Sequence, residues 1–318
     1  MPLSMTLAMR NDDYLAPLAC GDVTAERLAL TLRRDTARAL DWVDDPSVDA
    51  GELSLSKHIQ RLAAGNFSVV AIPFFAERAF CQRCFFVRRG SGLRDFRDLD
   101  GKRVGTNDWH ATGNTWSRAI LRNAGVKIEE MRWWVGSVDG APSRGRGTLP
   151  PHGQYIASGR TLLAMLLEAE LDALMCPNPP KGFYAADSPI VRLVPDYKRA
   201  EREYYLRTGI YPLQHIVGVR RETFERNPWA AVSLYNALER SKTSWQASLR
   251  ALPEMLPWIL PEIEDTIALM GEDWLPNGVA VNRKVIQTFL DEQVAQALIA
   301  KPLAFEALFS EFEGAVKA

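Results

Sequence analysis

The chain has 318 residues, of which 47% are hydrophobic and 24% charged, and its formal net charge is −1. This length allows a large buried core and favours two lobes over one. The near-neutral charge gives no reason to expect nucleic acid or an anionic membrane as the main partner.

The cellular location is predicted from the N-terminus and the cysteines. The first apolar run ends at Arg10 and has no basic residue before it, so it lacks the pattern of a signal peptide. No run is long and apolar enough to span a bilayer. Four cysteines suit a compartment in which thiols stay reduced. We therefore expect a cytoplasmic protein without a membrane partner.

Predicted strands and helices alternate in the first part of the chain, which is typical of an α/β fold. The continuous apolar run "FSVVAIPFF" suits a strand that is buried on both faces. Helical periodicity predicts helices at Thr24–Leu32 and Lys57–Ala64. The strands predicted here are Met5–Met9, Ser47–Leu55, Phe67–Phe75 and Arg83–Gly90.

The pattern starts afresh at Leu93 and ends in a region that is mostly helical from Glu222 onwards. The segment Ser137–Ser158 is rich in Gly, Pro and Arg without periodicity, which predicts a long loop. Strands are predicted at Gly101–Gly105, in "EEMRWWVG", at Asp172–Cys176, in "SPIVRLVPDY" and in "QHIVGVRRE"; helices at Trp116–Leu121 and from Gly159–Thr161 to Glu168; and helix breaks at Pro253, Pro257 and Pro276.

Two segments share a design that indicates a repeated lobe. "PSVDAGELSLS" and "AELDALMCPNPP" each have an aliphatic residue, Asp-Ala, a short strand and then a polar or proline-rich end. Two α/β lobes that each present a strand end would form a cleft between them, where ligands tend to bind.

One loop, "TNDWHATGN", is dense in hydrogen-bonding and aromatic groups between a predicted strand and helix. Open α/β folds place ligands in such loops. His110 beside Asp108 is a candidate for proton transfer, or an exposed loop histidine. Thr112 and Asn114 lie just ahead of the predicted helix, and they could either cap it or help to bind a carboxylate. The ligand contacts expected in this loop are Trp109, Thr112 and Asn114.

Other candidates stand at predicted strand and helix ends. His215 is a candidate acid or base, because histidine side chains can exchange a proton near neutral pH, although a hydrogen-bonded histidine at the hinge is the alternative. Guanidinium groups at Arg78 and Arg160 suit carboxylate binding, although arginine is more commonly a solvated surface residue. Ser54 and Ser56 end the "GELSLS" strand, where a hydroxyl either binds ligand or caps the next helix.

Neither a metal nor a cofactor is expected. The four histidines show no H-x-x-x-H or H-E-x-x-H spacing. Cys81 and Cys84 form a single C-x-x-C, which predicts two packed thiols better than a zinc site. Glu52 and Asp172, in the two repeated strands, are candidates for acid–base groups, but a structural role between strands is favoured for both.

Several motifs together resemble the 4,5-dihydroxyphthalate decarboxylases. They are "ELSLSKHI", "VAIPFFAER", "DLDGKRVG", "GRTLLAML", "ELDAL", "PDYKRAEREYYLRTGIYPLQH" and "MGEDWLPNG", spread over nearly the whole chain. The resemblance implies a two-lobe fold of the type 2 periplasmic-binding-protein class, with a ligand cleft and a helical C-terminal region. The first lobe would take residues 1–90 and 215–318, and the second lobe residues 91–214.

The same resemblance implies non-oxidative decarboxylation of a hydroxylated aromatic carboxylate. His215 would donate the proton, Arg78 and Arg160 would hold carboxylate, and His110 with Asp108 would handle the phenol. Family members have basic residues where this chain has Tyr14 and Cys81–Gln82, and an aromatic residue where it has Asn277. Tyr14 is expected to contact the ligand.

Two other functions stay open at this stage. One is a solute-binding protein that captures an aromatic or other organic acid without chemistry. The other is an intracellular enzyme of the same fold with different chemistry, since fold alone does not choose between them. The C-terminal helices could also support a homo-oligomer.

Overall fold

A computed structural model describes residues 1–34, 42–140, 147–251 and 257–317. The chain divides into two compact units. Unit 1 comprises Met1–Arg78, Leu213–Gln287 and Leu303–Ala318, and unit 2 comprises Ala79–Pro212 and Thr288–Pro302.

Unit 1 is built on a five-stranded mixed sheet with the order β2-β1-β3-β11-β4. β1 is parallel to β2 and β3, whereas β11 is antiparallel to both β3 and β4. The carboxyl ends of β1, β3 and β4 therefore meet the amino end of β11 at one edge of the sheet. The strands are β1 (Leu3–Met9), β2 (Leu28–Arg34), β3 (Ala50–Ser54), β4 (Val69–Arg78) and β11 (Leu213–Arg220).

Apolar side chains from the strands and from one long helix form the core of unit 1. The helix is α7 (Pro228–Ala251), whose buried alanines and leucines belong to the same cluster as the strand residues. The cluster includes Met5, Leu7, Ile72, Phe74, Val217, Ala230, Ala231, Leu234 and Leu238. The shorter helices α1 (Ala16–Cys20) and α2 (Leu55–Ala63) follow β1 and β3.

The helix predicted at Thr24–Leu32 is wrong, because Leu28–Arg34 is strand β2. This strand pairs in parallel with β1 from Leu3 opposite Leu28 to Met9 opposite Arg34. Leucine and alanine favour helices, but alternate leucines also satisfy a strand with one inward face. The pairing with β1 decides between the two.

Unit 2 contains a six-stranded sheet with the order β10-β5-β9-β6-β7-β8. Gly105 in β6 is needed for packing, because a Cβ there would come within 2.8 Å of Leu171 and 2.9 Å of Leu162. The strands are β5 (Phe85–Arg88), β6 (Arg103–Thr106), β7 (Arg132–Val135), β8 (Gly153–Tyr155), β9 (Ala173–Met175) and β10 (Ile190–Arg192), and the helices are α3 (Thr112–Asn123), α4 (Leu162–Leu167) and α5 (Tyr197–Thr208).

Three details of unit 2 differ from the sequence predictions. The predicted loop Ser137–Ser158 contains β8, which pairs with β7; residues 141–146 of that loop lie outside the described part. Helix α5 falls in a segment for which no helix was expected. The first boundary lies after Arg78 instead of residue 90, because β5 pairs with β9 and β10, and Thr288–Pro302 joins unit 2.

The C-terminal region is helical, as predicted. Pro257 and Pro276 fall between helices, while Pro253 lies outside the described residues. No helix in the described ranges combines the length and apolar character needed to cross a membrane. Besides α7, this region contains α6 (Arg221–Arg226), α8 (Ile259–Met270), α9 (Val279–Ala295) and α10 (Ser310–Lys317).

Candidate functional site

The edge of the unit 1 sheet where strand ends meet brings charged residues from four strands together. His215 of β11 lies opposite Ser54 of β3 on one side and Glu77 of β4 on the other. The pairing of β11 with β4 is irregular on both sides of His215. Such irregularities change the direction in which a side chain points. The strand pairing therefore sets the position of the His215 imidazole.

The imidazole of His215 is held by two carboxylates. Its Nδ1 lies 2.6 Å from Glu52 Oε1 and 3.0 Å from Glu77 Oε2. Because ionised carboxylates only accept hydrogen bonds, these contacts assign the hydrogen to Nδ1. Nε2 is then the ring nitrogen that can exchange a proton with a ligand.

Arg10, directly after β1, neutralises the same carboxylates. Its Nε donates to Glu52 Oε1 at 2.8 Å, its backbone N–H donates to Glu52 Oε2 at 2.9 Å, and its Nη2 lies 3.0 Å from Glu77 Oε2. The Glu52 side chain is 0% exposed. Burial opposes its ionisation, but hydrogen bonding and charge from His215 and Arg10 prevail, so the pKa of Glu52 is lowered. Glu52 is thus a buried, ionised carboxylate at neutral pH.

The segment after Arg10 adds two further groups to this site, which we call the His215 cluster (Arg10, Asp12, Tyr14, Glu52, Glu77 and His215). The Tyr14 hydroxyl is buried without a hydrogen-bond partner among the described residues. Burial, and then the charges of Glu52 and Asp12, raise the pKa of Tyr14 well above its usual value. Tyr14 therefore stays protonated as a hydrogen-bond donor.

Three members of the cluster also offer the donor atoms of a metal site. One ligand atom each from Glu52, Glu77 and His215 lie within 4.8 Å of one another. However, the same carboxylate oxygens already contact Arg10, so the guanidinium supplies the positive charge that a metal ion would supply. A bound metal would have to displace these contacts. Local spacing could not reveal this set, since its members lie far apart in the chain.

The other predicted residues of unit 1 make contacts within the unit. Ser54 caps α2 by accepting from the Lys57 N–H at 3.5 Å, and the buried Ser56 hydroxyl accepts from Gln60 at 2.9 Å. Arg78 donates to Asn282 Oδ1 at 2.7 Å and to the Pro276 carbonyl. Ligand contacts for these three residues stay predictions.

The predicted loop residues lie in unit 2, where they support one another. Asn114 Nδ2 donates to Asn107 Oδ1 at 3.0 Å and to the Asp108 carbonyl at 2.6 Å. The His110 N–H donates to Asp108 Oδ1 at 2.9 Å, and its Nε2 lies 3.0 Å from the Thr148 carbonyl. Thr112 is buried as the first residue of α3. These contacts give the loop a defined shape.

Trp109 and Arg160 have clear structural partners in unit 2. Trp109 is 3% exposed and packs between the Arg118 guanidinium, 3.9 Å from the ring centroid, and Trp133. It is therefore a core residue, and its predicted ligand contact has no geometric support. Arg160 forms surface ion pairs with Glu168 at 2.9 Å and Glu170 at 2.7 Å. Its predicted carboxylate contact stays a prediction.

Sequence reasoning missed three members of the cluster, Arg10, Asp12 and Glu77, and favoured a structural role for a fourth, Glu52. Arg10, Glu52 and Glu77 each stand at or near the end of a strand, in "AMRNDD", "GELSLS" and "FFAER". Charged residues in otherwise apolar strands were the available signal. Asp172, which was interpreted like Glu52, pairs instead with Arg103 through contacts of 2.8 and 3.0 Å, in line with the structural role expected for it.

Comparison with known proteins assigns the family. The chain is 31% identical to a 4,5-dihydroxyphthalate decarboxylase of Comamonas testosteroni over 320 residues, which cover 96% of each protein. The chain belongs to the 4,5-dihydroxyphthalate decarboxylase family. A second decarboxylase of that name, from Pseudomonas putida, is 28% identical over 213 residues, covering 64% of this chain and 81% of the relative. The family resemblance of the motifs is therefore confirmed, although no protein-family model matches the chain.

The fold is confirmed independently. The structure is similar to the periplasmic aliphatic sulphonate binding protein SsuA from Escherichia coli, with a TM-score of 0.55. The match covers 97% of this chain and 98% of that one at 14% identity. At this identity the likeness shows the periplasmic-binding-protein fold and nothing about the ligand.

Proposed function

We propose that the protein decarboxylates 4,5-dihydroxyphthalate, or a closely similar hydroxylated aromatic carboxylate, without oxidation, at the His215 cluster. The observation that carries this proposal is an imidazole whose Nδ1 is held by two carboxylates in a chain of the decarboxylase family. The buried Glu52 orients the ring through Nδ1, which leaves Nε2 as the nitrogen that faces a substrate for proton transfer.

The chemistry requires a proton at the carbon that bears the leaving carboxylate. Direct loss of carbon dioxide would leave a localised aryl anion. Deprotonation of a ring hydroxyl para to that carbon pushes electrons into the ring, so the carbon can first accept a proton from His215 Nε2. Carbon dioxide then leaves as aromaticity returns. A positioned acid contributes about 10²–10⁴-fold to such a step.

Substrate binding is expected to use the other predicted residues. Arg78, Ser54 and Ser56 lie in unit 1 with the cluster, and a carboxylate would compete with their present partners. The substrate-binding roles of Arg160, Thr112 and Asn114 of unit 2 stay predictions from the sequence. The phenol-handling role of His110 and Asp108 also stays a prediction, and Asp12 of the cluster is the competing candidate for it. No cofactor enters this mechanism.

The competing function is a non-catalytic binding protein for an organic acid, since the sulphonate-binding relative of the same fold is named as a binding protein. Incubation with 4,5-dihydroxyphthalate, phthalate and 4-hydroxybenzoate, with carbon dioxide and thermal stability both measured, separates the two. We expect carbon dioxide and 3,4-dihydroxybenzoate from the first compound. Stabilisation without any release would identify a binder, because ligand affinity for the native state raises stability.

The His215→Asn variant tests the assignment of the proton donor. Asparagine keeps the hydrogen bond at the Nδ1 position but has no group to donate the proton, so kcat should fall by about 10²–10⁴-fold. KM should change by only a few fold. His152→Gln, a half-buried histidine of unit 2 outside the cluster, is the matched control and should retain wild-type kcat. Unchanged turnover in His215→Asn would exclude His215 as the donor.

Two expectations from the sequence stand beside this proposal. The protein is expected in the cytoplasm, which cell fractionation tests, and it is expected to work without a metal. Activity that survives extensive chelation and dialysis would agree with the second expectation. Activity restored only by an added divalent ion would contradict it and make Glu52, Glu77 and His215 the candidate ligands.

A further inference from the structure

Asp12 stands at the start of a helical turn but does not cap it. The residue precedes the 3-10 helix Asp13–Leu15 in an extended conformation, and its side chain makes no capping hydrogen bond. Aspartate at this position normally accepts from a backbone N–H of the first turn. Only the Asp12 backbone carbonyl is used here, by the Leu15 N–H at 3.1 Å. The Asp12 carboxylate therefore does not serve as the cap of this turn.

One oxygen of that carboxylate is buried and unpartnered. Oδ2 makes no hydrogen bond with any described residue, and its neighbouring cation, Arg10 Nη2, is 3.8 Å away. The Asp12 side chain as a whole is 32% exposed, so it is partly buried in the cluster and partly accessible to solvent. Buried polar atoms without partners are uncommon and need an explanation, such as a bound ligand group.

The backbone on both sides of Asp12 is fixed. Arg10 is bonded to Glu52 through its side chain and its backbone N–H. On the other side, the buried Ser241 of α7 donates to the Tyr14 carbonyl at 2.7 Å and accepts from the Leu18 N–H at 3.1 Å. Asp12 is thus positioned by two rigid attachments and is not a loosely placed surface acid.

The charges around Asp12 hold it close to a proton-exchange equilibrium at neutral pH. Burial raises the pKa of Asp12 to about 6, with Arg10 and His215 lowering it and Glu52 and Glu77 raising it. An acid–base group exchanges protons most effectively when its pKa lies near the working pH.

We propose that Asp12 is the catalytic base that takes the proton of a ring hydroxyl, and that the buried Tyr14 hydroxyl donates a hydrogen bond to the resulting phenolate. This inference rests on the proposed function and adds a residue to it. An unpartnered acceptor and an unpartnered donor on one fixed segment match the two needs of a phenol that ionises. A catechol-type substrate, with two adjacent hydroxyls, could use both.

The proton balance closes with Asp12 in this role. Asp12 takes the phenol proton, and the ring carbon then accepts a proton from His215 Nε2. The bond to the carboxylate breaks, its electron pair returns to the ring, and carbon dioxide leaves. Protonated Asp12 returns its proton to the phenolate oxygen, and His215 is reprotonated from solvent. The net change is one proton taken up for each carbon dioxide released.

The test compares Asp12→Asn with Asp13→Asn, in which the neighbouring acid is exposed and outside the cluster. With 4,5-dihydroxyphthalate, Asp12→Asn should lower kcat by about 10²–10⁴-fold and remove the acidic limb near pH 6 from its pH profile. Asp13→Asn should match the wild type in both. A ring-fluorinated substrate, whose phenol ionises more readily, should recover part of the loss in Asp12→Asn only.

A second readout separates failure of this inference from failure of the proposed function. Ultraviolet difference spectra report whether bound 3,4-dihydroxybenzoate is ionised at its hydroxyl. Ionisation by the wild type but not by Asp12→Asn supports the base even if turnover is absent. Equal ionisation and equal kcat in an active wild type and a folded Asp12→Asn would overturn the role of Asp12 alone. Wild-type protein that neither binds nor turns over the catechol acid overturns both proposals.

Discussion

Glu52 shows at the residue scale how the protein keeps an ionised carboxylate inside an apolar strand. Three donors reach it: His215 Nδ1, Arg10 Nε and the Arg10 backbone N–H. A buried charge that lost its partners would cost several kcal/mol. Because the pKa of Glu52 is lowered, its contribution to stability is present above its usual pKa of 4.5 and is lost as the pH falls through the folded-state pKa.

Asp12 has the opposite effect on stability. Its pKa is raised from 3.8 to about 6, so between these pH values the folded protein binds more protons than the unfolded chain. Stability from this group is therefore lost as the pH rises through about 6. Above that pH, ionised Asp12 destabilises the folded state, as expected for a group retained for function.

A stability measurement tests this electrostatic account of Asp12. Asp12→Asn removes the cost of ionisation and should stabilise the protein by about 1–2 kcal/mol at pH 8, after allowance for solvent screening. The gain should shrink as the pH approaches 4. Urea unfolding at both pH values checks it, with Asp13→Asn as the control that should stay unchanged. Loss of stability at pH 8 in Asp12→Asn would contradict the account.

At the scale of elements, the segment before α9 covers the open edge of β4, the last strand of the unit 1 sheet. The Phe75 N–H donates to Asn277 Oδ1 at 2.6 Å, and the Gly278 N–H donates to the Pro73 carbonyl at 2.8 Å. Lys242 of α7 holds the same segment through the Leu275 carbonyl at 2.9 Å. Covering an edge strand satisfies its backbone groups and prevents its pairing with other chains.

Asn277→Ala should weaken this cover. The substitution leaves the Phe75 N–H without its acceptor and removes the hydrogen bond from Asn277 to Glu239. We expect a loss of roughly 1–3 kcal/mol in the free energy of unfolding by urea. Asn123→Ala, at the exposed last residue of α3, is the control and should change stability by less than about 0.5 kcal/mol. Equal effects of the two substitutions would show that Asn277 does not secure β4.

A segment whose residues fit only one type of secondary structure could be predicted from the sequence. A segment whose residues fit both a helix and a strand could not. The run in β4 is too apolar and too rich in β-branched and aromatic residues for an exposed helix, so its strand was predicted correctly. In β2, alternate leucines fit both a helix and a strand. Its pairing with β1, a tertiary contact, decides the outcome.

At the scale of the whole molecule, the cluster depends on contacts between distant parts of the sequence. His215 and Glu52 are 163 residues apart, and Arg10 and Glu52 are 42 apart. His215 could be predicted because its motif and its histidine chemistry are visible locally. Its carboxylate partners could not, because only the antiparallel register of β11 with β3 and β4 brings them together.

The shared fold and the family membership support different conclusions about function. The fold is shared with a sulphonate-binding protein at 14% identity, whereas the relatives named 4,5-dihydroxyphthalate decarboxylase are 28% and 31% identical. In our proposal the His215 cluster supplies a proton donor in His215 and a phenol base in Asp12. This proposal and the named decarboxylase relatives are why we favour catalysis over capture.

The most direct test of decarboxylation at this site is one turnover of 4,5-dihydroxyphthalate in heavy water, followed by mass and NMR analysis. The account predicts release of carbon dioxide and 3,4-dihydroxybenzoate that carries deuterium only at the carbon that lost its carboxylate, with His215→Asn giving almost none. Unchanged substrate recovered from a stabilised protein, or product without deuterium at that carbon, would contradict it.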